Sequence, residues 1–310
     1  MTHPEQQYLD LLKDIMENGV MKKDHNTGIG LTSVFRQIRF DLSQFPLLTT
    51  KKTYRKILHE LYWFFSQSNI KYLVDNNVNI RNDYPYKIYQ KKAEKEFPIM
   101  TLDEFIQKIK DDADFAQQHG ELPMIYGQQR RKRPTSDGDT IDQLAWIVDT
   151  LKNYPDRKHA VLSVRNPEYL YGMAKPGKAL SFPLCHILIH FNVANNKLSC
   201  QLYQRSADSF LGVPFNISYA LLTYVLAKIC YEVGDFVHTF DVHIYENHME
   251  QVKEQISREP KPFPTLIIDD SVKTMEDFTP DKVTLQYDSH PALKELTVAG
   301  GFDEKDRIKK

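Results

Sequence analysis

The chain is poor in cysteine and lacks any long apolar run. Its three cysteines in 310 residues, Cys185, Cys200 and Cys230, are scattered and give neither metal-ligand spacing nor a disulfide framework. That favours a reducing, cytoplasmic setting, with no metal expected. No apolar stretch reaches the ~20 residues of a membrane-crossing helix, and the N-terminus lacks the short apolar core of a secretion signal. A net excess of either charge is missing too. A net of −1 argues against a nucleic-acid binder that works by bulk charge. Repeats, low-complexity segments and a clean interior linker are absent. What remains is a soluble globular chain, long enough to bury roughly three quarters of its unfolded surface without staples.

The informative stretch runs from Phe182 to Tyr245, where Cys185, His186, Arg205, Ser206, Asp208, Asn216, His243 and Tyr245 punctuate apolar runs. Two strand-like segments, 187–193 and 198–205, are split by Ala-Asn-Asn-Lys, and Asn195-Asn196 suits a hairpin turn. A period of two puts Ser199, Gln201, Tyr203 and Arg205 on one face, with Leu198, Cys200, Leu202 and Gln204 on the other. From Phe215 to Ile229 the apolar residues lie all round a helical projection, as in a helix buried by its neighbours.

These residues carry a resemblance. Pro183-Leu184-Cys185-His186, then LSCQLYQRSAD, FLGVPFN and the His-Ile-Tyr-x-Asn-His run closely resemble the folate-dependent thymidylate synthases, from about Tyr8 to about Ala299. The resemblance implies an α/β (α+β) fold: one catalytic domain over 1–299 with a large mixed sheet flanked by helices, working as a homodimer through the sheet face. Residues of about 90–122 would be a variable helical insert, and 300–310 a charged C-terminal extension. Relatives end near residue 299 with a terminal carboxylate that helps seal the folate site; this chain continues.

The rest of the chain is read in order. Residues 6–20 place Tyr8, Leu11, Leu12, Ile15 and Met16 on one helical face ending near Gly19. In the polar loop His25–Gly30, Asn26 stands where the family has a phosphate-binding arginine. Tyr54–Phe65 has helical spacing, with Glu60 amid apolar neighbours. The residue type alone favours the wet side of a helix; the resemblance makes Glu60 an active-site carboxylate that orders water and relays protons. Arg81 and Tyr84 stand where the family has tryptophans against the folate. Tyr126-Gly127-Gln128 keeps the family pattern, but the tryptophan expected at 130 is an arginine. The basic run Arg130–Arg133 reads as a solvated surface. Ile141–Leu151 is an amphipathic helix, and 157–167 holds a strand ending near Asn166. Paired family arginines align with Lys158 and His159, and Arg157 is the neighbouring substitute. After Tyr245 come a helix over 246–257, an extended proline-rich segment and two final strands.

The chemistry implied is one-carbon transfer from 5,10-methylenetetrahydrofolate to C5 of dUMP. Uracil C5 is a poor nucleophile, and a thiolate adding at C6 makes an enolate that can attack from C5. Cys185 matches the family nucleophile; Cys200 and Cys230 read as packing. By resemblance Arg205 favours the thiolate and holds phosphate with Ser206, while Arg157 and Lys158 would reach across the dimer interface to the phosphate bound by the other subunit. His186 and Gln204 belong to the nucleotide site, and His243 and Tyr245 bind the sugar hydroxyl. Asn216 offers a donor and an acceptor that match uracil O4 and N3–H; the bland alternative is a helix cap. Tyr126 would assist proton loss from C5. Asp208 would hold the pterin, with Ile80, Arg81, Tyr84, Leu211, Gly212 and Phe215 lining the folate. Two readings stand beside methylation: a dUMP hydroxymethylase, motivated by Arg81, Tyr84 and the tail, and a non-catalytic nucleotide-binding homologue.

Overall fold

The structure is a computed structural model that describes residues 2–24, 29–53, 56–93, 99–170, 173–175, 184–229 and 231–294. The loop with Asn26, the Phe182-Pro183 part of the nucleophile motif, Cys230 and the C-terminal extension lie outside the described residues. In chain order the strands are β1 (Val20–Lys23), β2 (Gly30–Asp41), β3 (Arg133–Pro134), β4 (Thr140–Ile141), β5 (Val161–Ser163), β6 (His186–Ala194), β7 (Lys197–Asp208), β8 (Glu232–Tyr245), β9 (Thr265–Ile268) and β10 (Val283–Gln286). The helices are α1 (Gln6–Asn18), α2 (Lys56–Ser66), α3 (Lys71–Asp75), α4 (Asp83–Ala93), α5 (Leu102–Asp111), α6 (Ala113–His119), α7 (Tyr126–Arg131), α8 (Gln143–Asn153), α9 (Gly212–Asn216), α10 (Ser218–Ala227) and α11 (Met249–Ile256). None of the described helices is long and apolar enough to cross a membrane. The described residues cluster into two compact units, one within Met1–Ile57, Trp146–Ser163 and Cys185–Ala299, the other within Leu58–Ala145 and Val164–Leu184.

The first unit is built on a six-stranded mixed sheet in the order β1-β2-β8-β7-β6-β5. The β6–β7 hairpin turns at Asn195 and Asn196, with φ of 51° and 60°, the left-handed pair that a tight two-residue hairpin requires. β7 then pairs in parallel with β8, which demands a crossover, and α9 and α10 supply it. Along β7 the side chains alternate as period two dictates: Leu198, Cys200, Leu202 and Gln204 are buried, while Gln201 and Tyr203 are exposed. On β8, Phe236, His238, Phe240 and Val242 face the same core.

α10 packs on β7 and β8, and α1 on β2 and β8. Nine of the ten α10 residues are buried, which explains why its apolar residues lie on every side. The expected single helix over 215–229 is two, because Ile217 separates α9 from α10. On α1, Tyr8, Leu9, Leu11, Leu12 and Ile15 are buried, and Met16 at the edge of that face is half-buried. Just ahead of α1, Glu5 is fully buried. Its two oxygens accept from the backbone N–H and hydroxyl groups of Thr49 and Thr50 at 2.6–2.9 Å, so four donors offset the desolvation of one carboxylate. The opposite sheet face carries Phe35 (68% exposed) and Tyr203 (37%), with Gln37 and Gln201 both donating to Thr239 Oγ1.

The second unit holds α3 to α7, most of α2, and the β3–β4 hairpin. α5 starts on a full capping box between Thr101 and Glu104, and its Phe105 packs against Tyr86, Tyr89 and Phe115. Gly127 is required by close approach: a Cβ there would run into the Gln67 carbonyl. Ile141, expected to open a helix, pairs with Arg133 in β3–β4, and α8 begins two residues later.

Candidate active site

In the first unit Cys185 directly precedes β6 and is half-buried. Its carbonyl accepts from the Arg205 N–H at 3.0 Å, and Arg205 Nη2 lies 3.6 Å from its Sγ. The local irregularities explain the placement. The β7–β8 register shifts between Gln204 and Ala207, and the β6–β7 register shifts between His186 and Leu188. A bulge re-aims side chains that strict alternation would send inward or outward. Arg205 and Ser206 are consequently both half-buried neighbours, while Gln204 and Ala207 on either side point into the core. Cys200, fully inside, is a different thiol: burial pushes its pKa up to about 12, so it stays protonated and inert.

Beside this bulge runs a buried polar chain whose direction is fixed at one end. Gln204 Nε2 donates to the Ser206 carbonyl at 2.8 Å; a carbonyl can only accept, so the amide orientation follows. Gln204 Oε1 then accepts from Asn216 Nδ2 at 2.6 Å and from His238 Nε2 at 2.9 Å. Burial lowers His238 to a pKa of about 3; its imidazole is neutral and its one N–H sits on Nε2. Nδ1 is buried with no partner among the described residues. Asn216 is thereby oriented: Nδ2 is spent partly on Gln204, and no donor among the described residues reaches Oδ1. The helix-cap alternative does not hold, because Asn216 closes α9 and its amide goes to β7.

The other expected nucleotide residues of this unit have distinct surroundings. His186 Nδ1 is 2.9 Å from the Tyr219 hydroxyl. His243 sits edge-on to Tyr245 with ring centroids 5.0 Å apart, and burial pushes its imidazole below the ordinary histidine range against the raising effect of Asp208 and Asp241. Asp208 Oδ1 accepts from the N–H groups of Phe210 and Leu211 at 2.9 and 3.0 Å, while its second oxygen has no donor among the described residues. Leu211, Gly212 and Phe215 are half-buried at the start of and along α9. Arg157, Lys158 and His159 are exposed ahead of β5. Arg157 lies 3.8 Å over the Tyr154 ring, and Lys158 Nζ is 3.4 Å from Asn192 Oδ1.

In the second unit Glu60 is buried, at 5% exposure, and not on a wet helix side. Its partner is Arg81, whose Nη2 and Nε lie 2.6 and 3.0 Å from Oε1. Tyr126 is buried with its ring 4.5 Å from Phe64. Ile80 is exposed and Tyr84 half-buried. The basic run corrects the sequence reading, since Arg130 is fully buried with its guanidinium 4.3 Å over Phe65 and 5.0 Å over Tyr126. Arg131 pairs with Asp142 at 2.8 Å, and Lys132 alone of the four is exposed. Cation–π contact with a cluster of rings accommodates a guanidinium that bulk hydropathy would send to water.

A family model described as "Thymidylate synthase" matches residues 6–299. The chain belongs to the thymidylate synthase family. Curated relatives agree over most of the chain. The thymidylate synthase of Malacoplasma penetrans (strain HF-2) is 45% identical over 296 residues, covering 93% of this chain and 98% of the relative. That of Mycoplasma mobile is 46% identical over 297 residues, with the same coverage. That of Listeria innocua serovar 6a is 43% identical over 315 residues, again covering 93% and 98%. His238 was not singled out by sequence reasoning. The signal was available: it is the one polar residue in the inward alternation Phe236, His238, Phe240, Val242 of β8.

Proposed function

We propose that this chain transfers a one-carbon unit from 5,10-methylenetetrahydrofolate to C5 of dUMP, giving dTMP and dihydrofolate. The observation that carries the reading is the half-buried Cys185 thiol against the Arg205 guanidinium, in a member of the thymidylate synthase family. Cys185 adds to C6, moving the electron pair toward O4 and making C5 nucleophilic. The folate supplies the carbon and the hydride. Loss of the C5 proton and later expulsion of the Cys185 sulfur restore the ring.

Arg205 and Ser206 bind the phosphate, Arg157 and Lys158 reach across the dimer to the phosphate of the other subunit, and Asn216 reads uracil through its oriented amide. Neutral His243 and Tyr245 hold the sugar hydroxyl, with His186 and Gln204 supporting the nucleotide side. Glu60 and Tyr126 handle protons. The residues fit a pterin: Asp208 keeps one oxygen on the Phe210 and Leu211 N–H groups, leaving the other to accept a ring N–H. Leu211, Gly212, Phe215, Ile80, Arg81 and Tyr84 line the folate. The relatives' shared name, thymidylate synthase, favours methylation over hydroxymethylation, and the working compartment is the cytoplasm.

The enzyme works as a homodimer through the open sheet face, supported by the exposed Phe35 and Tyr203 there. Sedimentation velocity at micromolar concentration reads this; a monomer contradicts it. For the reaction itself, tritium release from C5-labelled dUMP in the presence of the folate is the test. Release is expected, and its absence overturns the proposal.

A further inference from the structure

Glu60 on α2 and Arg81 just ahead of α4 meet in an unusual geometry. Arg81 Nε and Nη2 lie 3.0 and 2.6 Å from the same oxygen, Oε1. A guanidinium fork facing a carboxylate squarely places one N–H on each oxygen. Here both fall on Oε1, and no donor among the described residues reaches Oε2. The carboxylate torsion of a glutamate is broad and two-fold, so an unpartnered Glu60 would interchange its oxygens. With Arg81 in place they are inequivalent.

The pair is held away from bulk water. The Glu60 side chain is 7% exposed and that of Arg81 20%, so solvent screening is weak. The Arg81 guanidinium also lies 5.5 Å over the Phe64 ring. Burial opposes its charge, and Glu60, then Tyr84 and Tyr126, more than offset that, holding Arg81 above the ordinary arginine range. Lysine at this position would supply charge without the two-pronged grip. Tryptophan, which the resemblance places at this position in relatives, would supply one N–H and no charge.

We propose that Arg81 is a positioning residue for Glu60, committing Oε1 to the ion pair so that Oε2 is the oxygen exchanging protons with ordered water during one-carbon transfer. The inference rests on the proposed reaction and on the proton role of Glu60 within it.

The test is a double-mutant cycle on the full-length enzyme, comparing wild type, Glu60→Gln, Arg81→Met and the double variant. Tritium release from C5-labelled dUMP and the dUMP dissociation constant are read for each. Arg81→Met is expected to lower kcat for release by about tenfold or more in the Glu60 background, with dUMP binding changed by less than about twofold. In the Glu60→Gln background the same substitution should cost less than about twofold, because its target is gone. Millimolar methylguanidinium should restore release to Arg81→Ala and not to the Glu60→Gln/Arg81→Ala double variant, a rescue that a purely structural role would not give. If Arg81→Met fails to fold, Arg81→Lys completes the cycle with charge but no fork, and the same coupling is expected. Equal losses in both backgrounds, or no loss in either, overturn the proposal. No tritium release from wild type overturns the reaction itself, and wild-type release from Glu60→Gln removes Glu60 from it; both are distinct from a failure of Arg81 alone.

Discussion

Arg205 Nη2 stands 3.6 Å from Cys185 Sγ, with the two residues also tied through the Arg205 N–H and the Cys185 carbonyl. The backbone bond fixes the spacing and the bulge fixes the direction, so a positive charge is delivered to one thiol. Cys200, fifteen residues on and on the buried face of β7, has no such neighbour among the described residues, and burial raises its pKa.

This contrast predicts selective chemistry. Under native conditions iodoacetamide should alkylate Cys185 and spare Cys200, as read by peptide mass mapping, with dUMP protecting Cys185. Cys185→Ala should keep nucleotide binding and lose tritium release to background. Retained release would remove Cys185 as the nucleophile.

The chain Ser206–Gln204–Asn216 predicts base discrimination. With Gln204 Oε1 accepting, Asn216 presents an acceptor suited to uracil N3–H. Asn216→Asp should lower kcat/KM for dUMP by roughly 10- to 100-fold, the equivalent of about 1–3 kcal/mol for a mismatched buried partner. dCMP, which lacks N3–H, should suffer much less. An unchanged dUMP-to-dCMP ratio in steady-state kinetics would contradict this orientation.

His238 predicts a pH dependence of stability. Its folded pKa of about 3 lies below the ordinary histidine value of 6.5. The unfolded chain therefore takes up a proton that the folded protein refuses. Stability is fully present above about pH 6.5 and falls as pH drops toward 3, at about 1.4 kcal/mol per pH unit for this one group. Urea midpoints across pH 7 to 4 should show the fall, and His238→Gln should lessen its slope by one proton. An unaltered slope would mean that His238 is protonated in the folded state.

Much of this was legible in sequence because local rules and tertiary context agree there. Asn195-Asn196 tolerates the left-handed backbone, so the hairpin reads directly. α10 is apolar all round because it is surrounded. What was misread or not read depends on partners distant in sequence. By residue type alone, without the resemblance, Glu60 reads as a wet-side residue until Arg81 supplies its counter-charge. Arg130 reads as solvated until Phe65 and Tyr126 close over it. The role of Glu5 exists only because Thr49 and Thr50 return four donors to it. In each case the deciding group belongs to another element, which periodicity along one element does not register.

The most direct measurement is mass spectrometry of the nucleotide formed from dUMP and 5,10-methylenetetrahydrofolate, with the folate product followed in parallel. The expected products are dTMP and dihydrofolate in equal amount. A 5-hydroxymethyl nucleotide with tetrahydrofolate, or no product at all, would contradict it.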